Sequence, residues 1–132
     1  MKMIRIYIVD DNEQFAKYMS RYLLSQENLS VAGFSTSGQA AIEALGEIDC
    51  DVVLMDIAMP DMNGLDTTKR LRENGFDKGI IVVSMHDDRY YNQTVQEAGA
   101  DAYINKSDFC DKVLPTIERV LDSKRQVSDE AR

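Results

Sequence analysis

The sequence predicts an α/β fold in which a parallel β-sheet is covered by helices. Short apolar runs rich in β-branched residues alternate along the chain with longer stretches in which apolar residues recur at helical spacing. Several of the short runs are apolar throughout, which is typical of strands buried on both faces of a sheet. The length of 132 residues suits one domain with one hydrophobic core. We therefore expect five strands and five helices in a single domain.

The first half of the chain provides two strand–helix units and the middle strand. Residues Ile4–Val9 and 29–34 are predicted strands. A second helix is predicted over Gly38–Leu45, which is apolar on one face, and Gly46 is expected to end it. The continuous apolar run Val52–Met55 is the third predicted strand. The first helix is predicted from an apolar stripe that we assign to the core: Phe15, Tyr18, Met19, Tyr22 and Leu23.

The second half repeats the pattern after a loop. Residues 57–64 contain Pro and Gly and are predicted to form this loop, with a third helix from Leu65. Strands are predicted at 80–83 and 102–104, with a helix over Asp88–Ala98 between them. Glycines stand where two helices should end: Gly75 and Gly99. A last amphipathic helix is predicted from its apolar residues: Val113, Leu114, Ile117, Val120 and Leu121.

Composition limits the location and the partners. We expect the last helix to fade after Leu121, so that 1–122 form the domain and 123–132 a polar tail or the start of a linker. A formal charge of −8 disfavours direct binding of nucleic acid, which needs clustered Lys and Arg. Cys50 and Cys110 form neither a disulfide framework nor a metal-binding spacing. The apolar N-terminal run is too short for a signal sequence or a membrane span. A cytoplasmic protein without a membrane segment is expected.

Polar residues follow the predicted strands and form one set: Asp10 and Asp11, Asp56, Ser84, and Lys106. In a parallel sheet, ligands bind outside the carboxyl ends of the strands, so these side chains should share one crevice. Carboxylates this close repel one another unless a hard cation such as Mg²⁺ or Mn²⁺ lies between them. An Asp carboxylate can attack phosphorus to give an aspartyl-phosphate, while a lysine and a hydroxyl bind the phosphate oxygens. We therefore predict that Asp56 accepts a phosphoryl group.

The same residues allow other interpretations. Asp10 and Asp11 could cap the following helix, and Asp56, Ser84 and Lys106 could each be an ordinary surface or turn residue. Their joint placement at successive strand ends favours a site. An aspartate-nucleophile phosphatase would need a second Asp where this chain has Ala58. A nucleotide or flavin binder would need a glycine-rich loop after the first strand, and VDDNEQF supplies acids instead.

Four motifs resemble the receiver domains of response regulators in two-component systems: IYIVDD, VVLMDIAMPDMNG, IIVVS and GADAYINK. The likeness extends from Ile4 to about Leu121. It implies a flavodoxin-like, doubly wound sheet of five parallel strands in the order 2-1-3-4-5, with helices on both faces. It also implies that Asp56 is the phosphoacceptor, that Asp11 binds the metal directly, and that Asp10 binds it mostly through water. The backbone carbonyl of Ala58 would complete the protein ligands.

The resemblance also implies a switch. Ser84 would follow the phosphoryl group, Lys106 would bind it, and the rotamer of Tyr103 would report activation. Ser107 follows the lysine where many receivers have proline, so the chain looks more like the NarL/FixJ branch. Met85 is bulkier than the residue common at its position and should restrict access to the site. Ala58 and His86 occupy the positions that tune the phosphoryl lifetime.

The resemblance implies a signalling domain and not an enzyme, since it catalyses only its own phosphorylation and dephosphorylation. A histidine kinase or a phosphotransfer protein would be the donor. A second receiver, an attached output domain or a protein partner would sense the state, on the surface of the fourth helix, fifth strand and fifth helix. A degenerate receiver that acts without phosphorylation is the alternative, and the complete set of site residues disfavours it.

Overall fold

A computed structural model of the chain describes residues 2–85 and 88–130, and side chains are described except at 88–91 and 128–130. This part of the chain contains one parallel sheet of five strands in the order 2-1-3-4-5, as the resemblance implied. The strands are β1 (Ile4–Val9), β2 (Leu29–Ser35), β3 (Val52–Met55), β4 (Gly79–Ser84) and β5 (Ala102–Asn105). The helices are α1 (Glu13–Leu24), α2 (Gly38–Leu45), α3 (Gly64–Glu73), α4 (Asp88–Ala98) and α5 (Phe109–Glu130), with a 3-10 turn at Lys106–Asp108.

The sheet is buried on both faces, which explains the continuous apolar runs. Side chains alternate between the faces along each strand, so Val52 and Leu54 of β3 point to one face while Val53 and Met55 point to the other. All four are fully buried. The first face packs against α1 and α5, and the second packs against α2, α3 and α4. The doubly wound α/β fold predicted from the sequence is therefore confirmed.

Two helices differ from the sequence prediction by more than a one-residue shift of their ends. Tyr18 was assigned to the buried stripe of α1, but its side chain is 47% exposed, and Ala16 takes the buried place instead. α5 does not fade after Leu121 but continues to Glu130, because its polar segment is rich in good helix formers and extends a helix that is already packed. The division of the chain at residue 122 stays a prediction. None of the helices within 2–85 and 88–130 is both long enough and apolar enough to cross a membrane.

A glycine fixes the loop behind β3. Gly64 begins α3, its N–H donates to the carbonyl of Ile57 at 2.8 Å, and the side chain of Asn63 caps the helix. A Cβ atom on Gly64 would lie 1.9 Å from the backbone oxygen of Asp56, so no other residue fits without moving the end of β3. Gly75 and Gly99 have φ angles of 91° and 105° where helices end, as predicted.

Candidate functional site

Three aspartates meet at the carboxyl ends of β1 and β3. Asp10 and Asp11 follow β1, and Asp56 follows β3, which is the neighbour of β1 in the sheet. One carboxylate oxygen of each lies within 4.8 Å of the other two. Asp10 is 0% exposed and Asp56 is 5% exposed, whereas Asp11 is open to solvent. The predicted acidic crevice is therefore present, with two buried carboxyl groups and one that is exposed to solvent.

Lys106 bridges the two buried acids. Its Nζ lies 3.0 Å from Asp10 Oδ2 and 3.4 Å from Asp56 Oδ1, and its side chain is 10% exposed. Lys106 directly follows β5, so the lysine reaches across the end of β4 to the acids. One ammonium faces three carboxyl groups at this site. The site therefore has an excess of negative charge whenever all three aspartates are ionised.

The two acids after β1 do not cap α1. Asn12 is the N-cap, and its side chain accepts a hydrogen bond from the backbone N–H of Phe15 at 3.0 Å. Asp10 Oδ1 accepts from the N–H of Asn12 at 2.9 Å, which fixes the orientation of the carboxylate. The interpretation of Asp10 and Asp11 as helix caps is therefore wrong, and both carboxylates are available to the crevice. Asn12 was not among the residues predicted from the sequence, although Asn is a favoured N-cap residue.

The environment of Asp56 favours its neutral form. Burial and, to a lesser extent, the charge of Asp10 together raise the pKa of Asp56 from 3.8 to about 7, while Lys106 partly opposes both. A cation placed among the carboxylates would reverse this effect and hold Asp56 ionised. Asp10 Oδ2 is a buried oxygen that accepts no hydrogen bond from the described residues, and its charged neighbour is Lys106. Hard carboxylate oxygens, one of them without a hydrogen bond, form a donor set that fits Mg²⁺.

The remaining predicted site residues differ in how far they are buried. Ser84 ends β4, is 2% exposed, and pairs in register with Asn105. Tyr103 is partly buried and packs against the core on the side of α2, α3 and α4. Ala58 is exposed in the loop after β3, so its carbonyl as a metal ligand stays a prediction. Met85 is 71% exposed, and its role in access stays a prediction. His86 lies outside the described residues.

The ring of Phe15 borders the site, which the sequence did not indicate. Lys106 Nζ lies 4.6 Å from the centre of this ring. Helical spacing placed Phe15 in the core stripe of α1, and it is indeed partly buried there. Periodicity identifies the buried face of a helix but not the side chain from another element that reaches it. No signal in the sequence therefore linked Phe15 to Lys106.

Comparisons with known proteins agree with the geometry. A model of the response regulator receiver domain family matches residues 6–117. The transcriptional regulatory protein DegU of Brevibacillus brevis is 32% identical over 117 residues, which are 89% of this chain and 50% of DegU. The response regulator GacA of Pseudomonas aeruginosa is 29% identical over 126 residues, 96% of this chain and 59% of GacA. The chain thus spans about half to three fifths of the length of these relatives.

Solved structures share the fold. A LuxR-family two-component response regulator from Aurantimonas sp. matches with a TM-score of 0.87 and 24% identity, over 92% of this chain and 87% of that one. The response regulator domain of CheB from Thermotoga maritima matches with a TM-score of 0.84 and 24% identity, over 92% of this chain and 98% of that one. At this level of identity the likeness concerns the fold alone.

Proposed function

The chain belongs to the response regulator receiver domain family, and we propose that it accepts a phosphoryl group on Asp56 in a reaction that requires Mg²⁺ or Mn²⁺. It is a signalling domain and not a classical enzyme. The predicted likeness to the NarL/FixJ branch is confirmed by the relatives DegU and GacA. The observation that supports the proposal most is the grouping of three carboxylates with the Lys106 ammonium.

The reaction transfers a phosphoryl group from a donor protein to Asp56. An oxygen of the ionised Asp56 carboxylate attacks phosphorus, the bond from phosphorus to the donor atom breaks, and an aspartyl-phosphate remains. The donor is a histidine kinase or a phosphotransfer protein, and the donor nitrogen keeps the electron pair of the broken bond. The Lys106 ammonium moves from the Asp56 carboxylate to the phosphoryl oxygens, where it stabilises their negative charge.

The divalent cation would be held by Asp11 and Asp56, by Asp10 through water, and by the carbonyl of Ala58. When bound, it neutralises the repulsion between the carboxylate and the incoming phosphoryl group. The Asp10 carboxyl group is fully buried, and its orientation is fixed by the N–H of Asn12. Asp11, which is open to solvent, is the group that an arriving cation meets first.

Switching would follow from the new charge at the end of β3. The hydroxyl of Ser84, at the end of the strand next to β3, and the ammonium of Lys106 would bind phosphoryl oxygens, and their movement would stabilise a conformer already present at low population. Tyr103 is half-buried on β5, so a change of its rotamer would alter the surface of α4, β5 and α5. A second receiver, a protein partner or an output domain in the cytoplasm would sense that surface. The name of the DegU relative favours an output that acts on transcription.

Intact-mass measurement tests the proposal. With acetyl phosphate and Mg²⁺, wild type is expected to gain the mass of one phosphoryl group, and Asp56→Asn is expected to gain none. Asp122→Asn is the matched control, because Asp122 is an exposed aspartate on the far half of α5 and should not change labelling. Labelling of Asp56→Asn at the wild-type rate would exclude the assignment. Absence of labelling in wild type, with acetyl phosphate and with a kinase, would favour the degenerate receiver.

A further inference from the structure

The Lys106 ammonium has an aromatic neighbour in addition to its two carboxylates. Its Nζ lies over the Phe15 ring, 4.6 Å from the ring centre, and 3.0 Å from Asp10 Oδ2. The negative face of an aromatic ring attracts a cation at this distance, and the attraction is stronger where water is excluded. The Lys106 side chain is only 10% exposed. Phe15 therefore contacts the ammonium in a place where an aromatic face can replace water.

Phe15 is itself held from two directions. Its backbone N–H donates to the capping side chain of Asn12, which fixes the start of α1 directly after Asp10 and Asp11. Its ring packs against Phe109 at 6.2 Å and against Tyr18 at 5.4 Å between ring centres. Phe109 begins α5, directly after the turn that contains Lys106. The ring is thus fixed by α1, which follows β1 and its two aspartates, and by α5, which follows β5 and Lys106.

We propose that Phe15 is a positioning residue that holds the Lys106 ammonium, by a cation–π contact, where it meets a phosphoryl group on Asp56. This inference rests on the proposed function. A lysine side chain has many rotamers, and ordering it costs conformational entropy. When the phosphoryl group replaces Asp56 as a partner, the ring remains as a fixed partner and limits the movement of Nζ. Loss of the ring's attraction should weaken binding of the phosphoryl group while the aspartates still bind the metal.

A purely structural role for Phe15 predicts a different result when only the electronic character of the ring changes. Fluorine atoms on the ring keep its shape nearly constant but withdraw electron density from its face, which weakens the attraction to a cation. The test measures the affinity of beryllofluoride, a phosphoryl mimic, in protein saturated with Mg²⁺. Phe15 is replaced by mono-, di- and trifluorinated phenylalanine, and by Leu and Tyr as natural variants.

The affinity for beryllofluoride is expected to fall stepwise as fluorine atoms are added. Phe15→Leu should bind it roughly three- to tenfold more weakly, Phe15→Tyr should stay within about twofold of wild type, and Mg²⁺ affinity should be unchanged in all of them. In a Lys106→Met background, Phe15→Leu should have no further effect. Phe76→Leu is the matched control, since Phe76 lies beside Arg72 and not beside Lys106, and it should leave the affinity unchanged.

A flat fluorine series, or an equal loss from Phe15→Leu with and without Lys106, would overturn the positioning role. Either result would mean that Phe15 acts through packing alone. Absence of beryllofluoride binding in wild type with Mg²⁺ would instead overturn the proposed function, and this inference with it. Wild-type binding combined with a flat series would leave the proposed function intact and reject only the role of Phe15.

Discussion

Asp56 carries a charge that the folded protein tolerates poorly. Burial, together with the neighbouring charge of Asp10, raises its pKa from 3.8 to about 7, against the opposing effect of Lys106. The folded protein therefore binds this proton more tightly than the unfolded chain does. Stability from this group is fully present below about pH 4 and is lost as the pH rises through about 7. At pH 8 an ionised Asp56 destabilises the metal-free fold.

Removal of the charge should therefore stabilise the protein at high pH. In EDTA at pH 8, Asp56→Asn is expected to raise Tm by roughly 3–8 °C, and the difference should shrink towards about pH 4. Thermal unfolding followed by circular dichroism across this pH range measures the effect. Asp122→Asn, an exposed control on α5, should leave Tm unchanged at every pH. An equal or lower Tm for Asp56→Asn at pH 8 would show that Lys106 already compensates the charge.

Among the elements, the amino ends of β4 and β5 are held by one arginine of α3. Arg72 donates from Nε to the Gly99 carbonyl at 2.9 Å and from Nη1 to the carbonyls of Phe76 and Lys78 at 2.9 and 2.7 Å. Its Nη2 lies 3.0 Å from Asp101 Oδ2. Four acceptors from two connections, α3–β4 and α4–β5, thus share one planar guanidinium, a geometry that an ammonium cannot reproduce.

Arg72→Lys is therefore expected to lower the free energy of unfolding by about 2 kcal/mol, because three backbone carbonyls, two of them in part-buried hydrogen bonds, lose their donor. These contacts lie at the end of the sheet opposite to Asp56, so Mg²⁺ affinity should stay at the wild-type value. Urea unfolding and metal titration of the same variant measure the two quantities. Arg125→Lys is a suitable control, since Arg125 is exposed and pairs only with Asp122 among the contacts of the described residues. A loss of metal affinity in Arg72→Lys would mean that the two ends are coupled.

Periodicity was a good guide to the elements and a poor guide to their surroundings. The bounds predicted for β1, α2 and α4 match the structure, because each has a run or stripe that is long compared with the uncertainty at its ends. The stripe of α1 included Tyr18 wrongly, since a residue at the edge of a stripe can turn outward. Polar composition hid the last turns of α5, where helix propensity continues without an apolar face.

At the scale of the whole molecule, sheet order creates the site. Because β1, β3, β4 and β5 lie in adjacent positions with their carboxyl ends together, side chains far apart in sequence reach one crevice. Asp10, Asp11, Asp56 and Lys106 follow predicted strands, and they meet in the structure as expected. The order of the strands came from the resemblance to receivers, since local patterns do not specify which strands pair. The Phe15 contact and the Arg72 network depend on that order and were invisible in the sequence.

Metal-dependent phosphorylation of Asp56 can be located by chemical trapping. Borohydride reduces an aspartyl-phosphate to homoserine, so peptide sequencing by tandem mass spectrometry locates the modified residue directly. After treatment with a phosphodonor and Mg²⁺, homoserine is expected at position 56, and EDTA should abolish it. Homoserine at position 10 or 11 would show that another aspartate is the phosphoacceptor. Equal modification of Asp56 in EDTA would show that the reaction needs no metal.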